Sequence, residues 1–392
     1  MSLFRPPPLT ELELAVLAQV GDLQERLRYL VHETRGSWEV LLRRVMRARA
    51  IRGSNSIEGY NISEDDALAA AAGDQPVDAS DEVWRNIEGY TQALSYVLAQ
   101  ATDPHFHYST DLIRALHFML ISHDGSKNPG KWRPGAIYVR NDERRVTVYE
   151  GPAAGAVPSL MDEFIRGLTN DEARDVPPIV RAAMAHLNLT MIHPFSDGNG
   201  RMARCVQTLV LARSGGPVSP EFASIEEYLG ENRRAYYDVL AEVGMGQWHP
   251  ERDARPWIRF CLRAHFTQAH TLHRRAREMD HLWGLLEERL AAASLPPRLI
   301  FALSDAAFGF RVRNATYRGV AEVSDQVASR DLKLAVDSGL LVAKGERRGR
   351  SYFASADVLA IRARIREPKD VPDPFALALR DQITLPLDRT DP

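Results

Sequence analysis

The chain has 392 residues, of which 45% are hydrophobic and 26% charged, and a formal net charge of −3. This composition supports a sizeable core in two or three domains and argues against a uniformly basic nucleic-acid binder, though not against a local basic patch. Its two cysteines, Cys205 and Cys261, lie in apolar helical contexts, so the sequence reads as a reduced cytoplasmic protein without a disulfide framework, signal-like leader or membrane-length apolar run.

Taken in order, the predicted elements are almost all helical. Glu11 to Leu30 repeats leucines at 14, 17, 23, 27 and 30, and Trp38 to Ile51 continues the helical pattern with interleaved arginines. The stretch Ser54 to Gly59 reads as a helix end, with glycine as its cap. A further helix lies within 104–125. Gly130 to Arg140 then alternates apolar and polar residues, as a short strand or hairpin arm does. Pro177-Pro178 opens a helix with apolar residues at Ile179, Ala183, Leu187 and Met191, and His186 on its face reads as a packed core histidine. Arg201 to Leu211 and Arg255 to Ala293 are helical, the latter closing at Pro296-Pro297, a plausible domain boundary. Beyond it the sequence predicts a helix, a second helix capped by Ser324 and ended by Gly339, and two strands around a basic turn at Gly345–Gly349. After Arg366 the Pro- and Asp-rich chain reads as an irregular tail.

The chemistry concentrates in His193-Pro-Phe-Ser-Asp-Gly-Asn-Gly-Arg201. Gly198 and Gly200 let a backbone bend tightly and approach an anion, and the helix that begins there points unpaired N–H groups and its positive end at the loop. Arg201 and Arg204, three apart, sit where cations oppose the dipole unless an anion binds. Asp197 offers a hard oxygen ligand for Mg²⁺ shared with phosphates, and His193 can accept a proton from a hydroxyl near neutral pH. Phe195 reads as the loop's apolar anchor. Any one of these features is ordinary; together they suit transfer from a nucleoside triphosphate.

This pattern resembles the signature of the Fic domain family, with the second arginine at 204. The resemblance implies an all-α, Fic-type helical core with a short β-hairpin flap and a protein adenylyltransferase that moves AMP from ATP to a Ser, Thr or Tyr hydroxyl of a target protein, itself included. It implies His193 as general base, Asp197 as Mg²⁺ ligand, Gly198, Asn199 and Gly200 as phosphate cradle, and Arg201 and Arg204 on the outer phosphates. The flap edge implied for target alignment by strand addition is Ile137, Tyr138, Val139 and Arg140. Ser54, Glu58 and Gly59 resemble the family's inhibitory motif, whose glutamate occupies the γ-phosphate position against Arg204, and which in some relatives supports AMP removal. Tyr236 and Tyr237 match a tyrosine pair beside adenine, and core packing of one ring with stacking by the other satisfies both demands. The C-terminal pattern is similar to a winged helix-turn-helix, with Arg330 and Lys333 set for a major groove and Arg347, Arg348 and Arg350 for phosphates; oligomer or target contacts are the alternative use. The expected domains are 1–75, an N-terminal helical region with the inhibitory motif; 76–293, the catalytic domain; 294–366, the winged helix; and 367–392, a tail. ATP, Mg²⁺ and a target protein are the expected ligands, with DNA and a second copy of the chain as further candidates and no membrane. A DNA-binding regulator that uses the domain as a nucleotide sensor is the competing function.

Overall fold

The computed structural model describes residues 2–33, 37–73, 79–141, 146–170, 175–216, 218–346 and 350–384. Its order is α1 (Glu11–Glu33), α2 (Ser37–Ile57), α3 (Glu64–Ala71), α4 (Asp81–Ala99), α5 (Thr110–Ile121), β1 (Tyr138–Asn141), β2 (Val146–Glu150), α6 (Val157–Thr169), α7 (Pro178–Ile192), α8 (Asn199–Arg213), α9 (Glu226–Glu231), α10 (Arg233–Gly244), β3 (Gly246–Gln247) and α11 (Arg255–Ala292). There follow α12 (Ile300–Ala307), α13 (Asn314–Ala321), α14 (Asp325–Asp337), β4 (Leu341–Lys344), β5 (Ser351–Ala354), α15 (Ala356–Arg364) and α16 (Pro374–Thr384). The fold is mostly helical, as the 3.6-residue apolar spacing predicts.

Helices α7 and α8 form the centre. Almost every residue of α7 from Ile179 to Ile192 is buried, so it is apolar all round rather than on one stripe. One side meets the core built by α2, α4, α5, α6 and α8, where Ile51, Tyr90, Leu120 and Phe164 pack. The other meets α9, α10 and the 38-residue α11, through Leu229, Tyr236, Trp257 and Cys261. The loop between α7 and α8 therefore leaves and re-enters the core within a few residues, which gives it two rigid anchors.

Helix α2 is clamped rather than laid on the surface. Arg49 Nη1 donates to Glu227 Oε1 at 2.6 Å, while Arg275 donates to both Glu227 oxygens at 2.6 and 2.7 Å. Burial alone raises such a carboxyl, but Arg275 and Arg49 outweigh it and hold Glu227 well below the usual carboxylate range. Helix α2 also crosses α9 at bare backbone. A Cβ on Gly53 would stand 2.3 Å from the Glu226 carbonyl oxygen, and one on Gly230 would stand 2.8 Å from Gly53 Cα. Gly53→Ala is therefore expected to wedge the two helices apart and lower stability by about 2–3 kcal/mol, read as a lower urea midpoint with an unchanged slope.

The small sheet runs β1-β2-β3, with β1 and β2 antiparallel and β3 parallel to β2. Tyr138 faces Glu150 and Val139 faces Tyr149, a bulge follows Val139, and among the described residues no strand pairs with the outer edge of β1. The hairpin arm expected over Gly130–Arg140 is a strand only from Tyr138 onward, the preceding residues being turns and bends, and the sheet has a third strand that the alternation does not announce.

The C-terminal region contains the expected series: α13, a left-handed turn at Glu322, α14 capped by Ser324 Oγ accepting from Val327 N–H, and the β4–β5 hairpin. Arg347, Arg348 and Gly349 lie outside the described residues. This region is seated on α2 and α3. Arg44 pairs with the buried Asp305, Arg311 N–H donates to Asp65 Oδ1 at 2.7 Å, and Phe310 enters the core beside Val45, Ala48 and Leu68. The tail reading is corrected: Pro374–Thr384 is a helix lying against α1 and α11, with Phe375 and Ala378 buried. Its prolines mark a helix start, because Pro374 takes the first position and Asp373 Oδ1 accepts from Phe375 N–H at 3.2 Å.

Candidate active site

His193 closes α7 in the left-handed region at φ 51°, its N–H donating to Leu189 carbonyl at 3.0 Å. A non-glycine residue there is strained by roughly 1 kcal/mol and turns the imidazole out of the helix row. His193 Nδ1 lies 3.1 Å from Thr190 carbonyl, an acceptor only, so the proton belongs on Nδ1 and the Nε2 lone pair is free. Burial, aided by the charge of Arg133, lowers the imidazole from 6.5 to about 4 against the opposing pull of Thr190, Glu58 and Asp197.

The loop beyond is held from inside. Asn199 Oδ1 accepts from Phe195 N–H and Asn199 Nδ2 donates to Phe195 carbonyl, both at 2.9 Å, so this side chain ties the loop to the start of α8. Its amide thus faces Phe195, and its backbone N–H at the start of α8 is what it offers to the expected cradle. Phe195 is the buried anchor the sequence suggests, stacked on His117 at 3.6 Å between ring centroids. His117 Nδ1 accepts from Gly130 N–H at 2.9 Å, which leaves Nε2–H to donate to Asp197 carbonyl at 3.0 Å. This buried histidine joins α5, the pre-flap segment and the loop, yet no motif marks it.

Asp197 Oδ1 accepts from Gly198 N–H at 2.6 Å, and its Oδ2 lies 3.4 Å from Lys127 Nζ at the surface. Among the described residues no three His, Cys, Asp or Glu side chains converge as a metal cage. Asp197 suits Mg²⁺ in the other common way, as one carboxylate beside water and substrate phosphate oxygens. Gly198 at φ 74° begins α8.

Both arginines are buried. Arg201 Nη1 donates to Asn86 Oδ1 on α4 at 2.8 Å, and its guanidinium stands 5.5 Å from the Tyr60 ring centroid. Arg204 Nε donates to Ser54 Oγ at 2.7 Å, and its Nη2 to Ser54 carbonyl at 3.1 Å and Glu58 Oε1 at 2.6 Å. Burial works against the charge of Arg204, but Glu58 above all holds its pKa above the ordinary value. Its Nη1 has no protein acceptor among the described residues. Glu58 projects from the end of α2, just before Gly59 at φ 88°, and a Cβ on Gly200 would meet its Oε1 at 2.6 Å. The carboxylate thus fills the space over the first turn of α8. The structure brings Ser54, Glu58, Gly200 and Arg204 together across 150 residues of chain, as expected from the two motifs.

The tyrosine pair divides. Tyr236 is buried in the core, where its hydroxyl faces His186 Nε2 at 2.9 Å and His186 Nδ1 faces Gln207 Oε1 at 2.5 Å. It therefore presents no ring surface to a ligand, which corrects its inclusion among binding residues, while His186 is the core histidine expected. Tyr237 is 42% exposed, its hydroxyl donating to Ile57 carbonyl at 3.3 Å, one residue before Glu58. On the flap, Tyr138 is exposed and Ile137 carbonyl accepts from Gly151 N–H at 3.2 Å; Arg140 lies in β1, with its side chain outside the described residues.

Fully buried His117, His186 and His265 are held by desolvation at about 4, 3 and 4 respectively. Their folded pKa values lie below the unfolded one, so their contribution is complete above pH 6.5 and is lost as pH falls towards 4. Each adds a slope of up to about 1.4 kcal/mol per pH unit. The expected result is a urea midpoint that is flat from pH 7 to 8 and falls steeply below pH 6.

Residues 107–211 match the model of the Fic/DOC family. The protein adenylyltransferase fic-1 of Caenorhabditis briggsae is 27% identical over 262 residues, which are 66% of this chain and 46% of that protein. The protein adenylyltransferase Fic of Nematostella vectensis is 28% identical over 211 residues, 54% of this chain and 45% of the relative. The chain thus spans less than half the length of these curated relatives. A Fic family protein from Desulfovibrio desulfuricans G20 has a solved structure that covers 90% of this chain and 99% of its own, with a TM-score of 0.56 and 21% identity, a likeness of fold.

Proposed function

We propose that this chain, which carries a Fic/DOC domain over residues 107–211, is a protein adenylyltransferase restrained by its own Glu58. The observation that carries the reading is one loop-helix unit that holds His193 with Nε2 free at its start and, on α8, the buried Arg204, whose Nη1 has no acceptor among the described residues. A triphosphate lying on the start of α8 would meet the N–H groups after Gly198, Arg201 and Arg204. In the reaction the target hydroxyl oxygen bonds to the α-phosphorus, His193 Nε2 takes the hydroxyl proton, and the α–β bridging bond breaks to release pyrophosphate. Mg²⁺ held by Asp197 would supply charge neutralisation on the phosphate oxygens. The open edge of β1 is suited to hold an extended target segment by main-chain bonds.

Glu58 occupies the position that an outer phosphate needs, so ATP binds productively only when the Glu58–Arg204 pair opens. Label from α-labelled ATP should appear on the protein itself and on lysate proteins with Glu58→Gly, and on neither with Glu58→Gly/His193→Ala. Absence of label in the single variant, with nucleotide still bound, would redirect the reading to another donor, AMP removal or a sensor. Two free buried cysteines go with a cytoplasmic setting, and no helix of the described residues is long and apolar enough to cross a membrane.

A DNA-contacting role for the C-terminal module has one specific support. Asp331 does not dilute the charge of α14: it is buried, bonded by Arg298 at 2.6 and 2.9 Å and by Tyr317 Oη at 3.0 Å. Arg330 and Lys333 are exposed on α14, Arg350 in the hairpin. Duplex binding that weakens with salt and with Arg330→Ala/Lys333→Ala is the test, and a second copy of the chain is the other candidate occupant.

A further inference from the structure

Arg133 is a buried cation whose partners are all main-chain carbonyls. Its Nε donates to His193 carbonyl at 2.8 Å, its Nη1 to Gly135 carbonyl at 2.6 Å and its Nη2 to Pro152 carbonyl, while its own N–H donates to Pro194 carbonyl at 2.9 Å. Only 3% of it is exposed, and it forms no ion pair among the described residues. An unpaired guanidinium in such a place costs several kcal/mol unless its donors are well used, and here three of its N–H directions are.

The three carbonyls belong to different parts of the site. Gly135 lies before β1, Pro152 lies after β2, and His193 carries the imidazole. One planar fork therefore bolts the entry and the exit of the flap to the residue that would accept the target's proton. Tyr149 Oη donates to Met191 carbonyl at 2.8 Å and adds a second tie from β2 to α7, but this bond ends two residues short of His193. The space is also closed on that side, because a Cβ on Gly151 would meet Ile137 Cγ2 at 2.7 Å and Arg133 Nη2 at 3.4 Å.

We propose that Arg133 is a positioning residue that fixes the separation between the flap edge and His193, so that a hydroxyl presented by a strand on β1 falls within reach of Nε2. The inference rests on the adenylyltransferase reading and adds to it the part that aligns acceptor with base. Geometry is what the fork supplies: a lysine keeps the charge but has one nitrogen, which reaches a single carbonyl where the guanidinium bridges three. A loosened flap leaves the phosphate site intact, since Arg201, Arg204 and the start of α8 are held by Asn86 and Ser54 instead.

The test uses the full chain with Glu58→Gly as parent, and adds Arg133→Lys and Arg133→Met. Melting curves select the folded variants, and the lysine variant serves if the methionine one does not fold. The expected result is a MgATP affinity within about twofold of the parent by calorimetry, a single-turnover transfer rate lower by about 100-fold, the cost of roughly 1 Å of misplacement, and faster amide exchange at Gly151. A folded Arg133→Lys protein with the parent's rate and the parent's exchange at Gly151 would overturn the proposal. Should the parent itself transfer no label, the enzymatic reading fails, and amide exchange at Gly151 decides the positioning role by itself.

Discussion

Replacing Glu58 by glycine is expected to raise AMP transfer by about 10- to 100-fold, equivalent to about 1.4–2.8 kcal/mol of competition relieved at Arg204. The carboxylate bonds Nη2 of a guanidinium that is 1% exposed, while its own side chain is 29% exposed, so water and nucleotide approach the pair from the glutamate side. The same substitution has a cost in the absence of nucleotide. Arg204 keeps Ser54 Oγ and the Ser54 carbonyl, but its charge loses the only carboxylate bonded to it among the described residues. Removing one partner of a fully buried pair costs about 3–5 kcal/mol, and the half-open position of Glu58 brings this to about 1–3 kcal/mol. The variant should therefore melt several degrees lower than the parent when empty and gain more than the parent from saturating MgATP, since a ligand stabilises in proportion to how tightly it binds. Equal activity and equal nucleotide-induced stabilisation in the two proteins would show that Glu58 does not restrain the site.

The second large effect belongs to His193. In the Glu58→Gly background, His193→Ala should reduce transfer by about 10²- to 10⁴-fold, the contribution of a positioned general base, with MgATP affinity within about twofold. The protein should remain folded. Alanine at φ 51° bears a strain close to that of the histidine it replaces, and Thr190 carbonyl loses one part-buried partner. The pH profile carries a sharper expectation. An imidazole at its ordinary 6.5 would begin to protonate near neutrality, whereas one lowered to about 4 remains a base well below it. Transfer at limiting ATP should thus be nearly constant from pH 8 to pH 5 and fall tenfold per unit below about pH 4, provided the fold survives. Bound phosphates favour the imidazolium, so the limb at saturating ATP should lie at higher pH than the limb at limiting ATP. A limb near 6.5 under limiting ATP would mean that His193 is solvated rather than buried.

Much of this site was legible because its chemistry is local in sequence. The nine residues from His193 to Arg201 are consecutive, and their requirements for glycine, carboxylate and guanidinium are visible one beside the next. Glu58 was legible only through its motif, for no periodicity tells that the end of α2 will lie over the start of α8. His117, Asn86, Tyr60 and Arg133 carried no such mark. Each acts through contacts with a distant backbone or side chain, and a lone polar residue in a helix or loop looks the same whether or not such contacts await it. Lengths of helices were read well where the apolar stripe was regular, as in α11, and poorly where proline and aspartate dominated the local composition, as in α16. The Tyr236–Tyr237 pair shows the limit of periodicity: adjacent positions on a helix point about 100° apart, and only packing against Trp257 and Phe260 decides which ring goes inward.

The seating of the C-terminal module on α2 and α3 braces the elements that flank Glu58. Arg44 and Asp65 lie on either side of Glu58 in sequence, and both are held from beyond residue 300. Cutting the chain after Pro296 would remove Asp305, Arg311 and Phe310 at once. It would strand the guanidinium of Arg44 without its acid and open an apolar recess among Val45, Ala48 and Leu68. On the proposed reading, docking of this module and closure of the site by Glu58 are expected to be coupled. Loosening the module should then shift the Glu58–Arg204 pair towards its open form, and nucleotide binding should loosen the module in return.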